Sequence, residues 1–225
     1  MFSRMVVHRL WAPTEAQIEE AVFVCFRAFK GDISLKCMSG GIPENGRVYL
    51  KAMLKAGALE GQIYVATDGE SGKFRAVALL FPPGRRMFHS DAQCKYWNTF
   101  WELLDSETQE WWNQFREKMT QVENEVFGPN GILKLWWVNL MATDPPYQQR
   151  GFGSALISKI CDIASEHELQ RDIGLATQSN ENSLWYQSLG FKERKGVDIP
   201  SKPFGDHFPC YMLSRSSRLI DSHVF

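Results

Sequence analysis

The chain is predicted to fold as an α/β protein, a mixed sheet with helices on its faces, and three observations predict it. Strand-like and helix-like runs alternate through the second half: Ile132–Ala142, Gly151–Glu166, Ile173–Thr177, Glu181–Leu189 and Phe191–Asp198. That alternation is the signature of helices laid against a sheet. Two strand-like runs, Gln62–Thr67 and Phe74–Phe81, flank Asp68-Gly69-Glu70-Ser71-Gly72, a gap suited to a hairpin. The stretch from His89 to Phe127 holds neither Pro nor Gly and is rich in Trp, Gln and Glu, which predicts one broken helix or two.

The elements follow in order. Met5–Leu10 reads as a short strand, and Pro13-Thr14 opens a helix whose first turns carry Glu15, Glu19 and Glu20. Carboxylates there suit the positive end of the helix dipole. Ala21, Val22, Cys25, Phe26 and Phe29 recur at three- and four-residue steps and give that helix an apolar face. Gly40-Gly41 and Pro43 break the chain, and Glu44–Ala58 predicts a second helix stopped near Gly57. Pro82-Pro83-Gly84 ends the second hairpin strand. In the following helical stretch Trp97 and Trp101 share a face, as do Trp111 and Phe115. Gly128-Pro129-Asn130-Gly131 is a turn, Asp144-Pro145-Pro146 stops the next strand, and Leu156, Ile160, Ile163 and Ala164 line one side of the helix that follows. Pro200 and Pro203 mark a loop before a last strand near Phe208–Leu213. Residues 1–225 read as a single domain, with a Trp-rich helical insertion at about 84–130 and a tail at about 214–225.

Composition excludes several classes. The 225 residues carry a net charge of -1, without the Lys/Arg excess that phosphate neutralisation requires, so no nucleic-acid partner is expected. The longest apolar runs, near Ala21–Phe26 and Ala76–Phe81, fall short of the ~20 residues that span a bilayer. Met1–Trp11 lacks a signal-peptide core, so a cytoplasmic location is expected. Cys25, Cys37, Cys94, Cys161 and Cys210 are scattered, which predicts free thiols, and the five histidines form no metal-ligand pattern.

The segment from Leu140 to Leu156 carries the chemistry. A strand ends, a Pro-Pro turn follows, and Gly151-Phe152-Gly153 enters a helix. Unpaired amides at a helix start point outward and favour an anion. From Tyr147 to Cys161 there is no Asp or Glu, while Arg150 and Lys159 are present, so a pyrophosphate would meet donors and positive charge. A dinucleotide fingerprint fits worse, because Gly151-x-Gly153 is followed by Leu156 where Gly or Ala is needed. A Walker A loop fits worse still: Gly41–Val48 lacks its lysine and hydroxyl.

At these residues the chain resembles the GNAT superfamily of acyl-CoA-dependent N-acyltransferases. Gln148-Gln149-Arg150-Gly151-Phe152-Gly153 is similar to the family's Gln/Arg-x-x-Gly-x-Gly/Ala phosphate motif, and Tyr186-Gln187-Ser188-Leu189-Gly190-Phe191 to its later Tyr-x-x-x-Gly-Phe. The resemblance is close over about residues 132–196; before that it rests on element order, and about 84–130 matches nothing general to the family. It implies a GNAT-like fold with a central, mostly antiparallel sheet of six or seven strands, and acetyl-CoA as donor. It further implies that Leu140, Met141 and Ala142 bond the pantetheine or acyl carbonyl. The amides of Gln149, Arg150, Gly151, Phe152, Gly153 and Ser154 would hold the pyrophosphate, Gln148 would fix the turn, and Asn182 and Tyr186 would lie along the CoA arm.

The implied activity is direct acetyl transfer to an amine, which needs a base for the amine, a donor to the oxyanion near Met141, and an acid for the thiolate. Tyr186 is the candidate acid; Cys161 reads as core. No base stands out: Asp32, Glu44, Glu102 and Asp105 read as helix charges, and His89 and His207 are equally unsupported. If the insertion joins the acceptor pocket, Trp97, Trp101, Trp111 and Trp112 would form an aromatic wall suited to a flat or apolar amine; otherwise they pack the insertion onto the body or build a dimer surface. The favoured reading is a small-molecule amine acceptor. A protein Lys or N-terminal acetyltransferase and a non-catalytic acyl-CoA-binding module are the alternatives, and the oligomeric state, a homodimer included, stays open.

Overall fold

The computed structural model describes residues 5–69, 71–167 and 171–217. In chain order the elements are β1 (Met5–Leu10), α1 (Glu15–Ala28), α2 (Ile33–Met38), α3 (Pro43–Glu60), β2 (Gln62–Asp68), β3 (Phe74–Phe81), α4 (Asp91–Trp101) and α5 (Ser106–Phe127). There follow β4 (Trp136–Thr143), α6 (Phe152–Glu166), β5 (Ile173–Thr177), α7 (Asn180–Ser188), β6 (Lys192–Pro200) and β7 (His207–Arg215). Among the described residues the strands form one seven-stranded sheet in the order β1-β2-β3-β4-β5-β7-β6. Every neighbouring pair is antiparallel except β4–β5.

Strand β3 shows why the centre of the sheet is apolar in sequence. Val77, Leu79 and Phe81 pack against α1 and α3 on one face, while Ala76, Ala78 and Leu80 face α6 on the other. A strand covered on both faces reads as a continuous apolar run. The α1 start is fixed by a capping box in which Thr14 and Gln17 bond reciprocally. On the α1/α3 face, α5 extends the cover over β7 through Met119, Val122, Phe208, Cys210 and Met212.

The structure departs from the sequence reading at definite places. An unexpected short helix, α2, starts where the Asp32 carboxylate accepts from the Leu35 amide at 2.8 Å. Gly57 does not stop α3, which continues to Glu60; it lies where a Cβ would stand 2.1 Å from Leu79 Cδ1, so it lets the helix approach β3. The stretch Gly131–Lys134 is a 3-10 turn after the left-handed Asn130, so β4 begins at Trp136 rather than Ile132. The Trp-rich stretch forms two helices, α4 and α5, between the paired strands β3 and β4. β7 runs through Arg215, so Ser214 and Arg215 belong to the sheet; residues 218–225 of the expected tail lie outside the described residues. Among the described residues no helix is long and apolar enough to cross a membrane.

Candidate functional site

The sheet opens at its parallel pair. β4 and β5 are paired only through Trp136↔Ile173, Trp137↔Gly174 and Val138↔Leu175. Beyond Val138, the residues Leu140–Thr143 pair with β3 alone, and Ala176 and Thr177 pair with β7 alone. Asn139 is the extra residue of a bulge, since Leu79 pairs with Leu140 and Leu80 with Val138. Leu140, Met141 and Ala142 therefore form one lip of the gap, with backbone groups on the β5 side that have no strand partner among the described residues.

The phosphate-type turn stands at the end of that lip. Gln149 and Gly151 both have left-handed backbones, φ +58° and +86°, and the Gln148 side chain braces the turn by donating to the Thr143 carbonyl at 3.2 Å. Alternation of this kind turns successive amides toward one side as an anion nest. Among the described residues the amides of Gln149, Arg150, Gly151, Phe152, Gly153 and Ser154 find no protein acceptor; Ala155 is the first to bond, to the Gly151 carbonyl at 2.9 Å. Gly153 sits tight against α7, where a Cβ would lie 3.3 Å from the Trp185 ring and 3.4 Å from Thr143 Oγ1. The nearest carboxylate in sequence, Asp144, is buried and ion-paired with Arg27 at 2.9 Å, so its charge is countered. The guanidinium of Arg150 stacks 5.3 Å from the Tyr147 ring and is exposed. Free amides, open glycine backbone and no uncompensated acid fit a diphosphate.

Tyr186 is buried, its ring 4.7 Å from that of Trp185 and 5.5 Å from that of Phe191. Burial pushes its phenol up from the ordinary value, so it stays protonated. Among the described residues its hydroxyl has no protein partner, which leaves its proton free for a ligand. Asn182 is exposed in the first turn of α7, where its amide donates to the Ser179 cap at 3.3 Å. Cys161 is half-buried against the α6 core, and burial raises its thiol.

A cavity of about 520 Å³ lies on the other side of the gap. Val138, Asn139 and Leu140 of β4 meet Ala176 and Gln178 of the β5 end in its wall, so it reaches the parted strands. Tyr49, Trp97, Trp112 and Phe115 make an aromatic side. Trp97 and Trp112 are 5.1 Å apart edge-on, and Tyr49 and Trp112 5.3 Å. The four tryptophans thus divide: Trp97 and Trp112 line the cavity. Trp101 lies 5.5 Å from Trp97, and the Trp111 indole donates to the Pro200 carbonyl at 2.7 Å.

One cavity carboxylate escaped the sequence reading. Glu123, on α5, pairs with Arg86 at 3.0 Å and is only 12% exposed in its side chain. Burial raises its carboxyl, and Arg86 partly offsets that. The acids considered from sequence lie elsewhere. Asp32 and Asp105 cap α2 and α5, Glu44 is exposed in the first turn of α3, and Glu102 ends α4. His89 lines the cavity as an exposed residue; His207 is exposed at the β6–β7 hairpin, 4.0 Å from Asp198. The signal for Glu123 was its step from Trp112, Phe115 and Met119, which puts a charge on an apolar helix face.

Fold and turn define a class: an α/β protein whose central strands part beside a helix start whose first amides have no protein acceptor among the described residues. Residues 117–193 match the acetyltransferase (GNAT) domain family, and the fold of the whole chain is similar to that of solved acetyltransferases. No curated protein matches the chain. Among solved structures, it is similar to a histone acetyltransferase HPA2 and related acetyltransferase from Corynebacterium glutamicum, with TM-score 0.61 and 21% identity over 96% of this chain and 98% of that one. It is similar to a Drosophila melanogaster polyamine N-acetyltransferase, with TM-score 0.62 and 12% identity over 95% and 100% of the two chains. It also resembles a mosquito arylalkylamine N-acetyltransferase like 5b, with TM-score 0.62 and 16% identity over 95% and 100%. At these identities the likeness is one of fold. GNAT acetyltransferases use acetyl-CoA generally.

Proposed function

We propose that the protein transfers an acetyl group from acetyl-CoA to the primary amine of a small molecule with an aromatic or apolar body. The observation that carries this is the aromatic cavity reaching the parted strands beside the unpartnered amides. Acetyl-CoA would supply the activated thioester. The amides of Gln149–Ser154 would hold its diphosphate, and the β5-side backbone of Leu140–Ala142 would align its arm. Tyr49, Trp97, Trp112 and Phe115 would hold the acceptor's body and exclude water. A Lys-like amine has a pKa near ~10.4 and must lose a proton before attack. The Tyr186 phenol, held protonated by burial, would donate to the departing sulfur.

The test is a thiol-release assay with acetyl-CoA and grouped amines. Release is expected with arylalkylamines above polyamines and Lys peptides. A clear preference for peptides bearing Lys or a free N-terminus would overturn the small-molecule reading. Binding of CoA with no release from any amine would instead support a non-catalytic module.

A further inference from the structure

The cavity's polar lining is lopsided. Arg86 occupies Oε2 of Glu123, and among the described residues Oε1 has no protein donor. The Asn139 side-chain oxygen is buried without a partner. The Gln178 amide nitrogen reaches the Cys210 sulfur at 3.7 Å, and its oxygen has no protein donor among the described residues. All three residues line the same cavity; Asn139 and Gln178 stand where β4 and β5 part, and Glu123 is close enough to Cys210, the partner of Gln178, for its charge to act on that thiol. The remaining charged or titratable groups on it are Arg86, Arg116, His89, Cys94 and Tyr49, with Cys210 behind Gln178. Arg116 and His89 are exposed, and Arg116 is spread over the Trp97 and Trp101 rings at 5.3 and 5.2 Å. The inner end thus offers acceptor oxygens, one of them ionic, inside an aromatic chamber.

We propose that Glu123, with the side-chain oxygens of Asn139 and Gln178, receives the ammonium of the acceptor and selects amines that carry no carboxylate beside the nitrogen. This rests on the acetyltransfer reading and names its acceptor class. An ammonium brings three donors and no acceptor, so it matches three oxygens without donors. The low dielectric of the chamber strengthens the ionic contact. A carboxylate on the adjacent carbon would instead be pressed against the Glu123 and Asn139 oxygens. When the amine loses its proton to attack, Glu123 Oε1 is the acceptor at hand: the N–H bond breaks, its electron pair stays on nitrogen, and the proton passes to the carboxylate.

The test is calorimetric titration of the CoA-loaded protein with 2-phenylethylamine, 2-phenylethanol and phenylalanine, in the wild type and in Glu123→Gln. The amine is expected to bind Glu123→Gln roughly 10- to 100-fold more weakly. The alcohol is expected to bind both proteins alike, which shows that the chamber is intact in the variant. Phenylalanine is expected to bind the wild type more weakly than the amine. Equal amine affinity in the two proteins, no amine binding to the wild type, or tighter binding of phenylalanine through Arg86 would each overturn the proposal. Thiol release reports separately. Glu123-dependent amine binding with no release from any amine keeps the ammonium site and removes the transfer reading. Release that Glu123→Gln leaves unchanged in both KM and kcat keeps the reading and removes Glu123.

Discussion

Two glycines in α3 make opposite predictions for the same substitution. Ala is favoured over Gly in a helix interior by roughly 0.8–1 kcal/mol. At Gly46 a new Cβ would meet Leu35 carbons at 3.4–3.6 Å, an ordinary contact, so Gly46→Ala keeps the gain. At Gly57 it would stand 2.1 Å from Leu79 Cδ1 and 3.3 Å from two further Leu79 carbons, and Leu79 is fully buried in β3. Overpacking of this kind costs about 1–3 kcal/mol. Taking about 2 for the clash and about 1 for the helix gain leaves about 1 kcal/mol of lost stability. For a chain of this size that is roughly 2–4 °C in Tm, so the two variants should bracket the wild type, Gly46→Ala above and Gly57→Ala below. Thermal melts followed by far-UV circular dichroism measure both. A Gly57→Ala melt at or above the wild type would refute the close approach of α3 to β3 and the placement of Tyr49 and Met53 that depends on it.

Three further outcomes are expected. Gly151→Ala meets no atom closer than 3.9 Å, so its effect is a left-handed backbone cost of roughly 1–2 kcal/mol; acetyl-CoA binding should weaken about tenfold with the helix content unchanged, and titration with CoA checks it. Tyr186→Phe should lower turnover about tenfold or more while acetyl-CoA affinity holds; unchanged turnover would take the phenol out of the chemistry. Because burial raises the Glu123 carboxyl above 4.5, the folded chain keeps this proton after the unfolded chain has released it, and folding weakens as pH climbs from there through the folded value. Glu123→Gln escapes that loss. Its urea midpoint relative to the wild type should rise across that window and then level off; a difference independent of pH between about 4 and 8 would contradict the shift.

What was legible in the sequence was whatever a local rule governs. Phe74–Phe81 and Ile173–Thr177 are strands with the bounds that their β-rich runs imply. The turn at Gln148–Gly153 was readable because left-handed backbone and close approach demand glycine at fixed places. Gly57 misled for the same reason: a glycine near a helix end reads as a stop, and only the position of Leu79 reveals that it makes room. The start of β4 was misplaced because Ile132 is apolar for burial inside a 3-10 turn, not for strand pairing. The cavity was illegible, since Tyr49, Trp97, Glu123, Asn139 and Gln178 come together only through the sheet order. Glu123 does stand in helical step with Trp112, Phe115 and Met119, but only the cavity and Arg86 beside it give that step a meaning.

The short β4–β5 pairing has a mechanical consequence. Three residue pairs are a weak seam, and α5 straps across it: Trp111 holds the Pro200 carbonyl, Glu125 grips Lys195 of β6, and Met119 and Val122 press on β7. The same strap carries Trp112 and Glu123. Loosening it on heating would widen the gap between β4 and β5 and dismantle the aromatic cavity in one event. Inactivation should then track the release of this single helix and precede the melting of the sheet.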